Sequence, residues 1–378
     1  MDRSTRIAVV GGGLAGLAVA GFLQRDGFSV TVYEQSEAFS RIGAGIILSA
    51  NASRVLQGLG VADALHAHGI QPDAYVSRAW DSGERMFELR VTDDFNARYG
   101  APYLNIHRAD LHVLLQKPLA PGTIRFGHHL TGLEPCGEGV RLSFENGASA
   151  EADIVLGADG IRSRVRAAML GPDEPRFFGR VAPRAVFPAS RIPAPAMEDC
   201  TKWWGEDRHI LTYFMTSRRD EVYAMGTVPA ESWDMERTVM PGTRDDFLAA
   251  FAHFHHDLTR ILEVAENVTI WPLLDRARDD RWSEAPVALM GDACHAMRPY
   301  MAAGGAMALE DAAILSRCLA RFDDAASAFS AYEATRIDRV ALVQEISIAN
   351  TWMRGPHEGD WFFGYDPLPA DLAAPVPA

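Results

Sequence analysis

Glycines near the start of the chain, together with one acid, have the types and spacing of a site for a dinucleotide. An apolar run at residues 7–10 leads into Gly11-Gly12-Gly13-Leu14-Ala15-Gly16, and a β-rich run at residues 29–33 ends at Glu34. Such glycines allow a tight turn, a close approach of backbone N–H groups to a pyrophosphate and close helix–strand packing, and the acid can accept from a ribose hydroxyl. The pattern does not distinguish NAD from FAD. The cofactor contacts expected here are Gly11, Gly13, Leu14, Ala15, Gly16 and Glu34.

Two later segments again combine a β-rich apolar run, a glycine and a carboxylate. The first carries Asp159 on a turn, followed by a basic stretch suited to a helix. The second carries Asp292 after the apolar run at residues 286–290, then a proline-to-glycine turn that opens a helical pattern. A carboxylate at a strand end can bind a ribityl hydroxyl, and N–H groups at a helix N-terminus favour negative charge on a reduced flavin ring. The residues expected at the cofactor are Asp159, Asp292, Pro299, Gly304, Gly305 and Ala306.

The three segments resemble the GxGxxG, DG and GD motifs of the single-component FAD-dependent aromatic hydroxylases, the family typified by para-hydroxybenzoate hydroxylase. The motifs stand in that family's order, and the resemblance spans nearly the whole chain. The stretches Arg41-Ile-Gly43-Ala-Gly45 and His107-Arg108-Ala-Asp110-Leu111 are similar as well. The resemblance implies that Arg41 and Arg108 contact FAD. Met301 departs from the family, since many members have a glycine in that place of the proline turn.

A hairpin pattern between the second and third motifs carries a narrower resemblance, to the 6-hydroxynicotinate 3-monooxygenases within this family. The similar stretches are residues 200–213 and the late Asn350-Thr-Trp352. A turn at residues 205–208 and period-two alternation would put alternate side chains of each strand on one face. Those side chains are Cys200, Lys202 and Trp204 on the first strand, and His209, Leu211 and Tyr213 on the second.

The narrower resemblance implies which residues contact the substrate. Cys200, His209 and Tyr213 match, and we interpret Tyr213 as the group that takes the proton of a ring hydroxyl and His209 as the group that orients the ring. Without the resemblance, a histidine and a tyrosine in this pattern are more typical of a packed sheet pair. Ile47 and Tyr300 stand where those relatives have histidines. These two departures favour the same reaction type on a different ring.

Composition limits the partners. The chain has 378 residues, 48% of them hydrophobic and 23% charged, as expected for a globular protein of two or three domains. A net charge of −14 without a basic, aromatic-interleaved stripe argues against nucleic acid as a partner. A small anionic substrate needs local cations, for which the candidates are Lys202, Arg208 and Arg298.

No metal site or disulfide framework is indicated. The four cysteines lack the spacing of either. His253, His255 and His256 are more typical of a solvated face on an amphipathic helix at residues 247–262. The uncharged run from Ile7 to Leu23 contains the turn glycines, which argues against a signal peptide or membrane span. We therefore expect a cytoplasmic protein without a membrane partner. The resemblance implies a monomer or a homodimer.

The predicted fold class is α/β, with a Rossmann-like FAD-binding domain, a smaller substrate domain built on a β-sheet and a C-terminal helical segment. The motif positions divide the chain into a discontinuous FAD-binding domain, a substrate domain, and a C-terminal helix with a loosely ordered tail. The predicted boundaries are 1–72, 103–180 and 269–324 for the first, 73–102 and 181–268 for the second, and 325–378 for the third.

The resemblance implies an NAD(P)H-dependent monooxygenase that uses O2 to hydroxylate an aromatic or N-heteroaromatic acid. No second dinucleotide fingerprint is present, so NAD(P)H would bind transiently against the flavin domain. The residues do not decide whether CO2 is lost, which ring is used, or whether NADH or NADPH is preferred. Two other classes stay open: a flavin or NAD dehydrogenase that inserts no oxygen, and a non-catalytic FAD-binding sensor.

Overall fold

The computed structural model describes residues 1–39, 44–194 and 197–375. Most of its strands belong to two large sheets. Among the described residues the strands are, in chain order, β1 Arg6–Val10, β2 Ser29–Tyr33, β3 Gly45–Leu48, β4 Ala74–Ala79, β5 Arg85–Arg90, β6 Leu104–His107, β7 Ile124–Arg125, β8 Leu130–Cys136, β9 Gly139–Phe144, β10 Ser149–Ala152, β11 Ile154–Gly157, β12 Arg176–Pro188, β13 Cys200–Trp204, β14 His209–Phe214, β15 Glu221–Pro229, β16 Met240–Pro241, β17 Thr269–Asp275, β18 Ser283–Glu284 and β19 Val287–Leu289.

Helices connect and cover the sheets. Short 3₁₀ turns lie at Ala189–Arg191 and Pro299–Met301. The helices of the described residues are α1 Leu14–Arg25, α2 Ala50–Gly58, α3 Ala62–His68, α4 Asp93–Tyr99, α5 Arg108–Gln116, α6 Arg164–Leu170, α7 Arg244–Ala250, α8 His256–Leu262, α9 Asp292–His295, α10 Gly304–Arg321, α11 Ala325–Ala349 and α12 Asp360–Phe363.

The first large sheet has the strand order β18-β19-β11-β1-β2-β7. All of its pairs are parallel except β18–β19. Strand β11 is buried throughout and β1 after its first residue, as expected for parallel strands covered on both faces. Helix α1 supplies a run of small and apolar buried residues that packs against this sheet and α10. The predicted Rossmann-like fold class is confirmed.

The second large sheet has the strand order β16-β17-β12-β15-β14-β13-β4-β5. Its pairs are antiparallel except for β13 with β4. The predicted hairpin is present, because β13 and β14 pair with Cys200 opposite Tyr213 and Trp204 opposite His209. Apolar residues on the far side of this sheet pack against α7 and α8 in a core of their own.

The domain boundaries remain a prediction. Sheet membership places Thr269–Asp275 in the second sheet, beside Arg176–Pro188, although the predicted division assigns residues 269–275 to the flavin domain. The long C-terminal helix runs over Ala325–Ala349 and ends at Asn350, which has the left-handed φ of 51°. The helical pattern of the sequence, with Phe329, Tyr332 and Ile337 among polar residues, predicts a helix at residues 325–353, so the predicted end is a few residues too late.

Two other local expectations are wrong. The helix expected at residues 247–262 is two short helices, α7 and α8, because the chain breaks at residues 251–255 and α8 begins anew with His255 as its N-cap. The tail at residues 366–375 is not loose. Leu368 packs against Gly58, and the backbone N–H of Ala373 donates to Thr335 at 3.0 Å.

The histidine pattern falls at the start of α8. His255, His256 and Asp257 bring one potential ligand atom each within 4.8 Å of one another. The ring of His255 also stacks on Trp203, with centroids 5.9 Å apart, and its Nδ1 accepts from the N–H of Asp257 at 3.3 Å. These contacts explain its position by helix capping and packing. In the described part of the chain, no helix combines the length and the apolarity that crossing a bilayer requires.

Candidate active site

A cavity of about 350 Å³ lies where the motif turns meet one face of the second sheet. The turn after β1, strand β3 and the turn before α10 form one wall. Strands β12 to β15 form the opposite wall, and the residues after α11 cover it. Described residues from all three predicted motifs line the cavity: Gly13, Leu14, Ala15, Ala158, Gly160, Asp292, Pro299, Gly304 and Gly305.

The first turn requires glycine at two places, and a third glycine borders the cavity. Gly11 has φ of 103°, and a Cβ there would overlap the carbonyl group of Ala158. A Cβ on Gly16 would overlap the carbonyl oxygen of Gly11, so this glycine allows α1 to pack closely on the turn. Gly13 is the N-cap of α1 and borders the cavity, and a Cβ added to it would meet nothing within 4 Å. The backbone N–H groups at this helix start are therefore open to an anionic group.

Glu34 lies beside this turn, at the end of β2. Its carboxylate accepts from the N–H of Gly12 at 2.7 Å and from the N–H of Ser36 at 2.9 Å. These bonds fix the carboxylate behind the turn glycines. Gly11, Gly16 and Glu34 shape the turn and are not among the described residues that line the cavity.

Asp159 has an internal role that the sequence pattern did not reveal. It accepts from the Ser163 hydroxyl at 2.5 Å and from the N–H groups of Arg164 and Val165 at 2.7 and 3.1 Å. Burial raises the pKa of this carboxyl, while those hydrogen bonds oppose the increase. Asp159 thus holds the start of α6, and its chain neighbours Ala158 and Gly160 reach the cavity instead.

The third motif brings two helix starts to the cavity. Asp292 begins α9 with its side chain exposed, and the turn through Pro299 leads to Gly304 at the start of α10. A Cβ on Gly305 would lie 3.0 Å from Ile46, so this glycine lets α10 approach β3. Ala306 is buried behind the turn and does not line the cavity.

A buried ionic network, which sequence reasoning missed, holds the third motif in place. Asp311 accepts from the N–H of Gly291 at 2.9 Å, contacts Nε2 of His295 at 2.6 Å and accepts from Nε of Arg336 at 2.8 Å. Burial alone would raise the pKa of Asp311, but the charges of His295 and Arg336 outweigh burial and lower it to about 2. Glu310 pairs with the same arginine. The network ties the turn to α10 and α11, so it fixes the geometry of the cavity wall.

The opposite wall consists of side chains on one face of the second sheet. Register places Arg184, Met225, Leu211 and Lys202 in one row across four neighbouring strands. Tyr213 lies two residues after Leu211 on β14, and His209 lies two residues before it, so both side chains are on the same face as this row. All of these side chains line the cavity. The predicted facing of His209, Leu211 and Tyr213 into one pocket therefore agrees with their placement.

Tyr213 reaches across the cavity to β3. A Cβ on Gly45 would lie 2.7 Å from Cε2 of Tyr213 and closer still to its hydroxyl, so only glycine admits the phenol here. The ring packs edge-on against Tyr223, with centroids 5.4 Å apart. Burial, with the neighbouring Tyr223 and Cys200, raises the pKa of Tyr213 well above 10. The phenol is therefore neutral at neutral pH.

His209 packs edge-on against Tyr300, with ring centroids 5.0 Å apart. Burial and the charges of Lys202 and Arg180 lower the pKa of His209 well below 6.5. A neutral imidazole beside the Tyr300 phenol can donate and accept hydrogen bonds without carrying charge.

Of the other predicted substrate contacts, some line the cavity and one does not. Ile47 and Tyr300 line the cavity, on β3 and the proline turn. Cys200 is fully buried behind the cavity lining, and burial raises the pKa of its thiol. It packs with the sheet and does not reach the cavity in this structure. Arg108 lines the cavity at the start of α5, whereas Arg41 lies outside the described residues.

Of the three cations proposed for an anionic substrate, only Lys202 lines the cavity. Arg208 pairs with Asp207 at 2.7 Å, and Arg298 pairs with Asp275 at 3.0 Å. Sequence reasoning missed Arg184, which also lines the cavity and has a buried Nε without a hydrogen-bond partner in the described residues. The sequence near Arg184 indicates a strand, but it does not show which strands pair with it or that Arg184 faces the cavity.

The open helix start at Gly13, the exposed Asp292 and the cavity-lining turn from Pro299 to Gly305 suit a flavin dinucleotide. The fold and this site define a flavoprotein whose cavity lies between the motif turns and one face of the second sheet. Residues 4–347 match the FAD binding domain family.

Relatives agree with this class. The chain is 42% identical to the 6-hydroxynicotinate 3-monooxygenase of Pseudomonas fluorescens, over 99% of this chain and 98% of that protein. It is 39% identical to the 3-amino-4-hydroxybenzoate 2-monooxygenase of Streptomyces cremeus, over 91% and 86%. Klebsiella pneumoniae HpxO, in complex with FAD and uric acid, has a similar structure, with a TM-score of 0.81 at 26% identity over 93% of this chain and 89% of that one. The chain belongs to the FAD-dependent aromatic hydroxylase family, and it is a monooxygenase with FAD as its cofactor.

Proposed function

We propose that this monooxygenase uses NAD(P)H and O2 to hydroxylate a ring that carries both a hydroxyl and a carboxylate. The observation that carries the proposal is the cavity itself, in which the cofactor-side glycines face Tyr213, His209 and a buried cation across a single chamber. CO2 leaves if the carboxylate is on the attacked carbon. When bound, FAD supplies the chemistry that reduces O2 and delivers one oxygen atom to the ring.

The protein's own residues prepare the ring and exclude water. Because its raised pKa keeps Tyr213 protonated, this phenol donates a hydrogen bond to the oxygen of the ring hydroxyl and stabilises that oxygen in its ionised form, since a phenolate ring is the better nucleophile. The neutral His209 holds the ring by a hydrogen bond. Trp352, Phe362 and Phe363 line the outer side of the cavity. Their apolar surface would keep solvent from the reacting atoms.

The FAD contacts are proposed in the same way. Gly13, Leu14 and Ala15 would meet the pyrophosphate, Asp292 a ribityl hydroxyl, and Gly304 and Gly305 the ring. Arg108 is placed at the same wall.

The substrate is proposed to be an acid other than 6-hydroxynicotinate. A relative with 42% identity is named for that acid, but Ile47 and Tyr300 stand where the resemblance expects histidines. Both side chains line the cavity. An unmet polar group on a buried ligand costs about 1–3 kcal/mol. A hydroxybenzoate or hydroxypicolinate with different substitution should therefore fit better. The proposal includes a cytoplasmic location and a monomer or homodimer.

A screen of hydroxybenzoate, hydroxypicolinate and hydroxynicotinate acids for stimulated NADH and NADPH oxidation tests the proposal, with the product mass recorded for each. We expect at least one acid to stimulate oxidation and give a product with one added oxygen atom. If no acid in the panel does so while the protein holds FAD, the proposed substrate class is wrong. If Ile47→His brings no gain with 6-hydroxynicotinate and the wild type already prefers that acid, the interpretation of the two departures is wrong.

A further inference from the structure

Lys202 is a buried cation at the edge of the cavity. It lies on β13 with only 4% of its surface exposed. Its Nζ is 3.6 Å from the centre of the Trp204 ring, 3.4 Å from the carbonyl oxygen of Tyr300 and 3.4 Å from Oδ1 of Asn350. A π face and two long carbonyl contacts position the ammonium while leaving room for a further hydrogen-bond acceptor.

Other buried cations of this protein have carboxylate partners, but Lys202 has none within the described ranges. Arg336 pairs with Asp311 and Glu310, and Arg166 pairs with Asp173 and Asp279. Burial of an unpaired ammonium costs free energy unless an anion arrives or a proton leaves. Burial, and then the charge of Arg354, lower the pKa of Lys202 well below 10.5. An anion that reaches this buried, unpaired amine would therefore stabilise its charged form.

We propose that Lys202 binds the carboxylate of the substrate, with Asn350 and the Trp204 ring holding its ammonium in position. The inference rests on the proposed function, because it assigns a side of the cavity to the carboxylate of the aromatic acid. It makes Lys202 the residue that selects acids over neutral phenols and hydroxypyridines.

Register supports this orientation. Lys202 is opposite Leu211 on the neighbouring strand, so Tyr213 and His209 are its two diagonal neighbours. Diagonal side chains on antiparallel strands are about 7–8 Å apart, a span that one aromatic ring can fill. A ring lying over Leu211 would then place its carboxylate at Lys202 and its hydroxyl toward Tyr213. Because Nζ of Lys202 lies near the carbonyl oxygen of Tyr300, the substrate carboxylate would then lie beside the proline turn.

Arg184 is the alternative binding group for the carboxylate, because it is the other cation among the described residues on the same wall of the cavity. It lies at the other end of the same row, three strand spacings and so roughly 14 Å from Lys202. Its guanidinium is directed toward Trp271, 5.2 Å from the ring centre, and is only partly buried. The Lys202 ammonium is the more completely buried charge, so an incoming carboxylate should gain more there.

Paired ligands test the inference in the FAD-loaded protein. The pairs are 4-hydroxybenzoate with phenol and 6-hydroxynicotinate with 2-hydroxypyridine, in which only the carboxylate differs. Dissociation constants come from the change in flavin absorbance without NAD(P)H. In Lys202→Met we expect the acids to bind about 10- to 100-fold more weakly and the neutral partners to change less than about threefold. Lys202→Arg should retain most of the acid preference. Arg184→Met should affect both members of a pair alike.

Equal weakening of both members in Lys202→Met would overturn the inference and leave Lys202 a structural residue. A loss of acid binding confined to Arg184→Met would move the carboxylate to the other end of the row. If wild type binds none of the acids in the wider panel of hydroxybenzoates, hydroxypicolinates and hydroxynicotinates, the proposed function itself fails, which is a different result from acids that bind without help from Lys202.

The wild-type protein gives an independent measurement if Lys202→Met does not hold FAD. The titratable or charged groups facing Lys202 are His209 on β14, Tyr300 on the turn and Arg354 beyond α11. Because the free ammonium has a lowered pKa, acid binding should weaken by up to about tenfold per pH unit above that pKa as the free lysine loses its proton. Binding of the neutral partner should not weaken over the same pH range. Acid affinity that stays flat up to about pH 10 would contradict the inference, as would the same pH dependence in Lys202→Arg.

Discussion

Gly13→Ala should separate folding from cofactor retention. In the ligand-free chain a Cβ at this position meets nothing within 4 Å, so the substitution adds no clash to the protein itself. Gly13 is also the N-cap of α1, where alanine is a poorer cap than glycine, at a cost of up to about 1 kcal/mol. The protein should therefore fold with a slightly lower melting temperature.

FAD binding should respond more strongly to the same methyl group. The added Cβ projects into the cavity at the helix start where a pyrophosphate would approach the backbone. Overpacking of a fitted contact costs about 1–3 kcal/mol, which corresponds to about 5- to 150-fold in the dissociation constant. The measurement is a titration of FAD into apoprotein, followed by quenching of flavin fluorescence, beside a thermal melt of each variant.

Gly132→Ala is the matched control. This glycine lies on β8, does not have a positive φ, and also has nothing within 4 Å of a Cβ. It does not border the cavity, so its alanine variant should bind FAD as the wild type does. Wild-type FAD affinity in Gly13→Ala would refute the placement of the pyrophosphate at this turn. An equal loss in both variants would refute the reasoning from local space.

Three other outcomes are expected. Tyr213→Phe removes one hydroxyl and keeps the ring, so NADH oxidation should continue while hydroxylated product falls and hydrogen peroxide rises, measured as product per NADH. Tyr33→Phe, away from the cavity, is the control, and unchanged coupling in Tyr213→Phe would show that the hydroxyl does not activate the ring. Gly45→Ala should push the same phenol aside and reduce coupling without the loss of FAD, since its Cβ would lie 2.7 Å from Tyr213 Cε2; full coupling in this variant would contradict the contact. Asp311→Ala should lower the free energy of unfolding, measured with denaturant, by about 3–5 kcal/mol because it breaks a buried ionic network. Since the folded pKa of Asp311 is about 2 and its ordinary value is 3.8, the stability that Asp311 contributes is present above pH 3.8 and is lost as the pH falls toward 2. A variant as stable as wild type at pH 7 would contradict this.

Local patterns predicted the turns and the hairpin well because their signals lie within a few residues. The glycines at 11 and 16 act through backbone geometry and close packing that a strand–turn–helix of this spacing needs, and Gly13 follows from the same pattern. The alternation in β13 and β14 fixes which side chains share a face once the turn at residues 205–208 is placed. For the same reason, Lys202, His209 and Tyr213 could be assigned to one wall before any sheet order was known.

Long-range pairing hid the rest. Arg184 enters the cavity only because β12 pairs with β15, and nothing near residue 184 signals that neighbour. The network of Asp311, His295 and Arg336 joins residues on three separate elements. Cys200 was expected at the substrate from the resemblance, yet it is fully buried behind the side chains that line the cavity. Asp159 was expected at the cofactor, but it caps the start of α6 instead. A carboxylate on a turn can take either role, and spacing in the sequence does not separate them.

The central claim is that one oxygen atom from O2 enters a hydroxylated aromatic acid in this cavity. The most direct measurement is a turnover of the FAD-loaded protein under isotopically labelled dioxygen, with NADH or NADPH and the acid that stimulates oxidation most strongly. We predict one labelled oxygen atom in the product for each nicotinamide oxidised in coupled turnover. Product formed without label would contradict the account and make the protein a dehydrogenase that moves hydride without inserting oxygen.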